Sequence, residues 1–238
     1  MQFACKAGTQ ALQTAFAHVA ADFCDWGLAI GSDTAQSAPG DVLEFTAGAG
    51  AASYLIGTEN LLAELVATNS VATDTPDFWR RPGQAHPQHA GRFSGQPAYF
   101  YHVCLVTEKI LRTTNLKSKD IDYCIFHTPN ARFPQIAAKK LGFTTEQLEP
   151  SLLVRKIGNT YAAAVPLALS AVLDQAAANK TILVVSYGSG AGGDAFIFRT
   201  TKELVKRRKM WGNFISDKVE NLQPVSYSRY RSAMENIV

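Results

Sequence analysis

The chain has 238 residues, 47% of them hydrophobic and 18% charged, a balance that supports a real core and excludes a disordered polypeptide. A net charge of +3 does not mark a nucleic-acid-binding protein, and four cysteines without a C-x-x-C pair argue against a zinc site or a disulfide framework and fit a reducing cytosol. No run is long and apolar enough to span a membrane, and the first residues lack the charged-then-apolar pattern of a signal peptide.

The first predicted element is a helix over residues 6–21, opened by Ala4-Cys5-Lys6-Ala7-Gly8-Thr9. A thiol at the first turn of a helix lies where unpaired backbone N–H groups stabilise the thiolate, the setting of a nucleophile. The alternative is a small buried apolar residue. Such a nucleophile ordinarily follows a strand, yet four residues precede Cys5. The front of the fold is therefore expected to be missing from this stretch.

A strand over 26–30 follows, then a long connection over 33–46 containing Pro39-Gly40, then a glycine-rich turn entering an apolar strand over 48–56. Residues 63–74 read as a strand. Residues 96–113 read as a helix with Tyr99, Val103, Val106 and Ile110 on one stripe. A buried strand over 121–126 ends at His127-Thr128-Pro129-Asn130, and a short helix over 133–141 is closed by Gly142. A helix over 161–178, opened by Asn159, precedes a strand over 181–185. Ser186-Tyr187-Gly188-Ser189-Gly190-Ala191-Gly192-Gly193 then runs into a strand, not a helix, so it reads as a glycine turn approaching a site and not as a dinucleotide cradle. Residues 202–238 hold eight Lys/Arg against four Asp/Glu and read as a basic, solvated extension. His86-Pro87-Gln88-His89 has H-x-x-H spacing, but its proline and lack of an acidic or thiol neighbour make it a polar loop; no metal site is expected.

The order helix, strand, glycine turn, strand occurs twice. Residues 48–56 match 190–198, and each is preceded by a strand and an alanine-rich helix. Aligning Leu28 with Ile182 sets Cys5 on Asn159, and the first copy carries the longer connection. Two equivalent halves would require about 90 further residues before Met1. The expected division is 1–60 as the remainder of a first half, 61–200 as a second half and 201–238 as the extension.

Cys5, His127 and Asn159 all fall at element ends, where α/β active sites lie. Cysteine with histidine is the usual minimum for thiol catalysis: imidazole activates the thiol or polarises a bound carbonyl, and a side-chain amide completes an oxyanion site. Each residue also has an ordinary structural reading: small core residue, loop histidine, helix cap.

The Cys5 loop, Phe126-His127-Thr128-Pro129-Asn130, Gly158-Asn159-Thr160-Tyr161 and Ser186-Tyr187-Gly188-Ser189-Gly190 occur in an order that resembles hydroxymethylglutaryl-CoA synthase of the archaeal type, in the thiolase superfamily. Asp77-Phe78-Trp79-Arg80, residues 91–99 and residues 227–231 resemble the same branch. The resemblance implies an α/β thiolase-like fold of two pseudo-symmetric halves in α-β-α-β-α layers, with the first half incomplete. It implies condensation of acetyl-CoA with acetoacetyl-CoA, as substrates and with no cofactor, through an acetyl-cysteine. By that resemblance Cys5 is the nucleophile, His127 binds and polarises the acetoacetyl carbonyl beside Asn159, Tyr187, Gly188 and Ser189 form a substrate-binding loop, and the backbone around Ser189 with that of Cys5 holds the thioester oxyanion. Asp33 matches an aspartate near the acetyl site. Implied partners are CoA thioesters, a second copy in a homodimer, a thiolase and a small acyl-CoA-binding protein, in the cytoplasm, with neither nucleic acid nor membrane.

The family's general base is a glutamate supplied before the cysteine, and no residue here matches it. The expectation is a chain inactive or poorly folded by itself. Two rival readings remain: a decarboxylating ketoacyl-synthase-type acyltransferase, which needs no such base, and a non-catalytic or split subunit.

Overall fold

A computed structural model describes residues 1–90 and 95–235; Gly91, Arg92, Phe93 and Ser94, part of the family-like stretch, lie outside the described residues. In chain order the elements are α1 (Ala7–Ala20), β1 (Gly27–Thr34), β2 (Ala49–Ile56), β3 (Ala63–Thr75), β4 (Phe78–Trp79), β5 (Gln88–His89), α2 (Ala98–Thr114), β6 (Tyr123–Phe126), α3 (Arg132–Lys140), α4 (Thr145–Leu148), α5 (Val154–Ile157), α6 (Ala164–Leu173), β7 (Thr181–Val185), β8 (Gly190–Thr200), α7 (Lys202–Arg208), α8 (Ile215–Glu220) and α9 (Tyr227–Glu235).

A four-stranded sheet in the order β3-β8-β7-β6 forms one half, with β6 parallel to β7 and the other pairs antiparallel. Its two faces bury different side chains. Leu183, Val185, Ala195 and Ile197 pack under α2, whose stripe of Tyr99, Val103, Val106 and Ile110 is fully buried as its spacing predicts. Ile182, Val184, Phe196 and Phe198 pack on α6. Beside α6 in the same layer lies α1, and the antiparallel pair β1–β2 packs on both helices from the other side. Leu12, Val19, Ala29 and Ile56 fill that interface. The layers thus run α-β-α-β.

The outer face of β1–β2, which α2 covers in the other half, shows Leu28, Ile30 and Leu55 at 63%, 56% and 67% exposure. These three large apolar side chains share one exposed face.

The structure corrects several sequence readings. The helix expected over 161–178 begins as a 3-10 turn, Tyr161–Ala163, and is α-helical only over α6. Tyr161 has φ +46°, through which a right-handed α-helix cannot continue, and Arg208 donates to the carbonyls of Leu173 and Ala176, capping the far end. In the first copy the glycines lie in or against strand β2 and form no turn. A Cβ on Gly48 would sit 2.1 Å from the Ile157 carbonyl oxygen, so the glycines there permit close approach between the halves. In the second copy a turn does exist: Gly188 and Gly192 exchange both backbone hydrogen bonds around Ser189, Gly190 and Ala191. The strand alignment of Leu28 with Ile182 is out by one residue. Leu28 faces away from α1 whereas Ile182 faces α6, and a one-residue slip exchanges the faces of a strand.

One buried ion pair ties α1 to β8. Lys6 Nζ lies 2.8 and 3.0 Å from the two Asp194 oxygens, with the two side chains 2% and 0% exposed. Removing one member leaves the other charged without compensation. Lys6→Met is expected to lower stability by about 3–5 kcal/mol, and adding Asp194→Asn to recover much of it. Urea denaturation of both variants measures this.

Candidate active site

A sharp turn holds Cys5. Ala4 has φ +44°, and the backbone N–H groups of Lys6 and Ala7 donate to the carbonyls of Phe3 and Ala4. Because α1 begins at Ala7, the thiol precedes the helix by two residues and is not in its first turn. The residue before Asn159, Gly158, also has a positive φ, +74°. Although the strands that follow are out by one residue at the offset that sets Cys5 on Asn159, around the thiol that offset sets one positive-φ residue on the other. For alanine that conformation costs on the order of 1–2 kcal/mol.

The two halves meet at this point. Asn159 N–H donates to the Thr46 carbonyl at 2.6 Å, and its own carbonyl accepts from Gly48 N–H at 2.9 Å. Its side-chain oxygen accepts from Tyr161 N–H at 2.9 Å, which leaves the amide NH2 as the end free to donate. A Cβ on Gly8 would lie 2.2 Å from the Ala162 carbonyl oxygen, and one on Gly31 2.7 Å from it. These two glycines let α1 and β1 close on the Asn159 segment.

His127 ends β6, its N–H donating to Val185 at 2.9 Å and its carbonyl accepting from the Tyr99 hydroxyl at 2.7 Å. The imidazole lies between the rings of Tyr99 and Tyr187, with Nδ1 buried and unpartnered among the described residues. Burial pushes its pKa down to about 3, so the ring is neutral near pH 7 and offers hydrogen bonds, not a charge, to the cavity. Tyr187 donates to Asp77 Oδ2 at 2.9 Å. Asp77 Oδ1 is buried without a partner among the described residues.

Cys5, His127, Asn159, Tyr187 and Ser189 line one cavity of about 30 Å³. That is roughly the volume of one water, so an acyl thioester enters only if lining side chains move. Gly188 is not a lining residue. Its missing side chain instead allows contact with the Phe3 oxygen and the Lys6 nitrogen. Asp33 is half-buried outside the lining, receives the Ala162 N–H, and acts on Cys5 through its charge. The cavity also contains Asp77, Phe78, Tyr99 and Tyr161, to which sequence reasoning assigned no role. The available signal was Asp77-Phe78-Trp79-Arg80, noted as family-like but far along the chain from the thiol.

The thiolate expected at Cys5 is not what this environment favours. Burial first, then the charges of Asp33 and Asp77, push the thiol well above its ordinary range, outweighing a backbone hydrogen bond that lowers it. Alkylation of Cys5 by iodoacetamide is therefore expected to be slow at pH 7 and to keep rising through pH 10 without a plateau. Exposed Cys24 is the internal reference in the same peptide map. A plateau near pH 7 would show a stabilised thiolate.

Among the described residues no cluster of His, Cys, Asp or Glu could hold a metal ion, and no helix is long and apolar enough to cross a membrane.

The layered fold and its solved counterparts define the class: this is a thiolase-like chain. Residues 111–200 match the family model for the C-terminal part of 3-oxoacyl-[acyl-carrier-protein] synthase III. A crystal structure of HMG-CoA synthase complexed with CoA superposes with a TM-score of 0.86 at 26% identity, covering 97% of this chain and 62% of that one. The synthase III of Aquifex aeolicus superposes at 0.74 and 21% identity, over 84% and 66% of the two chains, which shows the fold alone. The hydroxymethylglutaryl-CoA synthase of Methanocaldococcus jannaschii is 47% identical over 237 residues, 99% of this chain and 69% of that protein. The synthase of Methanobrevibacter smithii is 50% identical over 97% of this chain and 66% of its own length. The chain belongs to the hydroxymethylglutaryl-CoA synthase family, and it spans just under two thirds of the length of the M. smithii and Methanopyrus kandleri relatives.

Proposed function

We propose that this chain carries the acyl-accepting site of a hydroxymethylglutaryl-CoA synthase. The observation that carries the reading is the convergence of Cys5, His127 and Asn159, distant in sequence, on one buried cavity in a chain half identical to named synthases. Cys5 Sγ attacks the acetyl-CoA carbonyl, the new S–C bond forms, the bond to CoA sulfur breaks, and CoA leaves with the thiol proton. The Gly188 N–H is occupied by the Gly192 carbonyl, so the backbone N–H of Ser189, a lining residue, is the proposed oxyanion donor of this turn. Neutral His127 and the Asn159 amide then hydrogen-bond the ketone of acetoacetyl-CoA. The acetyl methyl, once deprotonated, adds to that ketone, and water releases the product thioester from Cys5.

No glutamate lines the cavity, and Asp77 is its one carboxylate among the described residues. These residues therefore support acetyl transfer and ketone binding, while the glutamate that would remove the methyl proton belongs to family sequence this chain does not match. CoA thioesters are its small-molecule partners. A second copy, a thiolase and a small acyl-CoA-binding protein are proposed as protein partners, in the cytoplasm.

Incubation with acetyl-CoA, proteolysis and mass spectrometry test the reading. An acetyl group on the Cys5 peptide is expected, and its absence at saturating acetyl-CoA overturns it. The match of residues 111–200 to 3-oxoacyl-[acyl-carrier-protein] synthase III favours a second reading, decarboxylative condensation. Release of CO₂ from a malonyl thioester by the acylated chain would select that one.

A further inference from the structure

We propose that the buried Lys6–Asp194 pair is a positioning device for the proposed reaction, locking Cys5 in register with the Tyr187–Ser189 turn. The inference rests on the acyl-transfer reading above. Lys6 directly follows the thiol, and Asp194 lies in β8 two residues beyond Gly192, which closes the turn that contains Ser189. Between them the two charges join the two segments that must share one acyl group.

The geometry is closed on every side. Lys6 Nζ reaches both Asp194 oxygens, donates to Gln10 Oε1 at 2.7 Å and lies 4.1 Å from the Phe3 ring centroid. Ser70 donates to Asp194 Oδ1 at 2.8 Å, and Thr9 Oγ1 lies 2.9 Å from Oδ2 and 2.7 Å from Ser186 Oγ. Asp194 thus gathers α1, β3, β8 and Ser186, the residue that opens the turn.

The backbones touch at the same place. A Cβ on Gly188 would sit 2.5 Å from the Phe3 oxygen and 3.0 Å from the Lys6 nitrogen, and one on Gly192 would sit 2.8 Å from the Phe3 ring. Nothing but glycine leaves room for the nucleophile turn to seat on the oxyanion turn. The ion pair supplies the attraction that holds it there. Simple packing would not require a charge at this position, since an apolar pair of similar volume is often at least as stable. What directional, charge-assisted bonds add is a fixed geometry.

The test uses Lys6→Met, the neutral double variant Lys6→Met/Asp194→Asn, and the milder Gln10→Leu, which removes one partner of Nζ. Each is assayed for Cys5 acetylation by acetyl-CoA, with rate and half-saturation measured separately, and for the ratio of Cys5 to Cys24 alkylation. The double variant is expected to fold and to acetylate Cys5 on the order of 10²-fold more slowly, with half-saturation little changed, because a misplacement near 1 Å costs that much. Gln10→Leu is expected to slow it severalfold. The alkylation ratio changes in both, which a merely structural role would not produce. Wild-type acetylation rate and alkylation ratio in folded variants would overturn the proposal. If the wild-type chain takes no acetyl group, the functional reading fails separately, and the alkylation ratio still decides the positioning role.

Discussion

Cys5→Ala is expected to abolish acetyl capture from acetyl-CoA, by about 10⁴-fold or more, while leaving the fold in place. Loss of a nucleophile removes the covalent route entirely, and the remaining groups can only bind. The side chain is buried but small, so its removal costs about 1 kcal/mol of stability, an effect urea denaturation separates from the chemical one. Intact-mass analysis after acetyl-CoA treatment reads the result directly. Cys24, Cys104 and Cys124 remain in the variant. Undiminished acetylation would assign the acyl group to one of them.

The second large effect is expected at His127. Its imidazole is buried, neutral and flanked by two tyrosine rings, with one nitrogen unpartnered among the described residues. His127→Ala is expected to leave acetyl transfer to Cys5 within about tenfold. Discharge of the acetyl group onto acetoacetyl-CoA is expected to fall by about 10²–10³-fold, the cost of one lost carbonyl donor. The discharge is measured on a preparation that turns over. Equal losses in both half-reactions would place His127 at the thiol instead.

The same burial has a pH signature. The folded-state pKa lies near 3 against an ordinary 6.5, so between these values the unfolded chain binds a proton that the folded chain excludes. The stability His127 contributes by being neutral is fully present above pH 6.5. It falls by up to about 1.4 kcal/mol per pH unit as pH drops toward 3. Urea midpoints at pH 7 and 4.5 are expected to differ less in His127→Asn than in the wild type.

The pair of expectations about Cys5 shows how far one dimension reaches. A thiol beside a helix start suggested a stabilised thiolate, because helix N–H groups are a local property. Desolvation is not local. Leu43, Tyr99 and Tyr161 arrive from distant parts of the chain to close the cavity, and with Asp33 and Asp77 nearby they reverse the sign of the shift. Asp77 carries no local signal for the same reason. It precedes a two-residue strand with no periodic signal, and only the tertiary fold brings it to the cavity wall, where Tyr187 donates to it. The glycine stretches carried a clear signal whose cause was misassigned in the first copy. Gly48 and Gly50 serve close packing against Ile157, Leu167 and Thr160, all of which lie in the other half.

By itself the sequence determined the helix and strand inventory, because hydrophobic periodicity and glycine punctuation are written within a few residues. It also determined the repeat that aligns Cys5 with Asn159, and the motifs that identify the family. Only the tertiary structure decided which face of β1 points inward, that Leu28, Ile30 and Leu55 share its other face, that burial pushes the Cys5 thiol up, and that Lys6 spends its charge on Asp194. Each of those follows from contacts between residues far apart in the chain, where burial and register, not local pattern, set the energy.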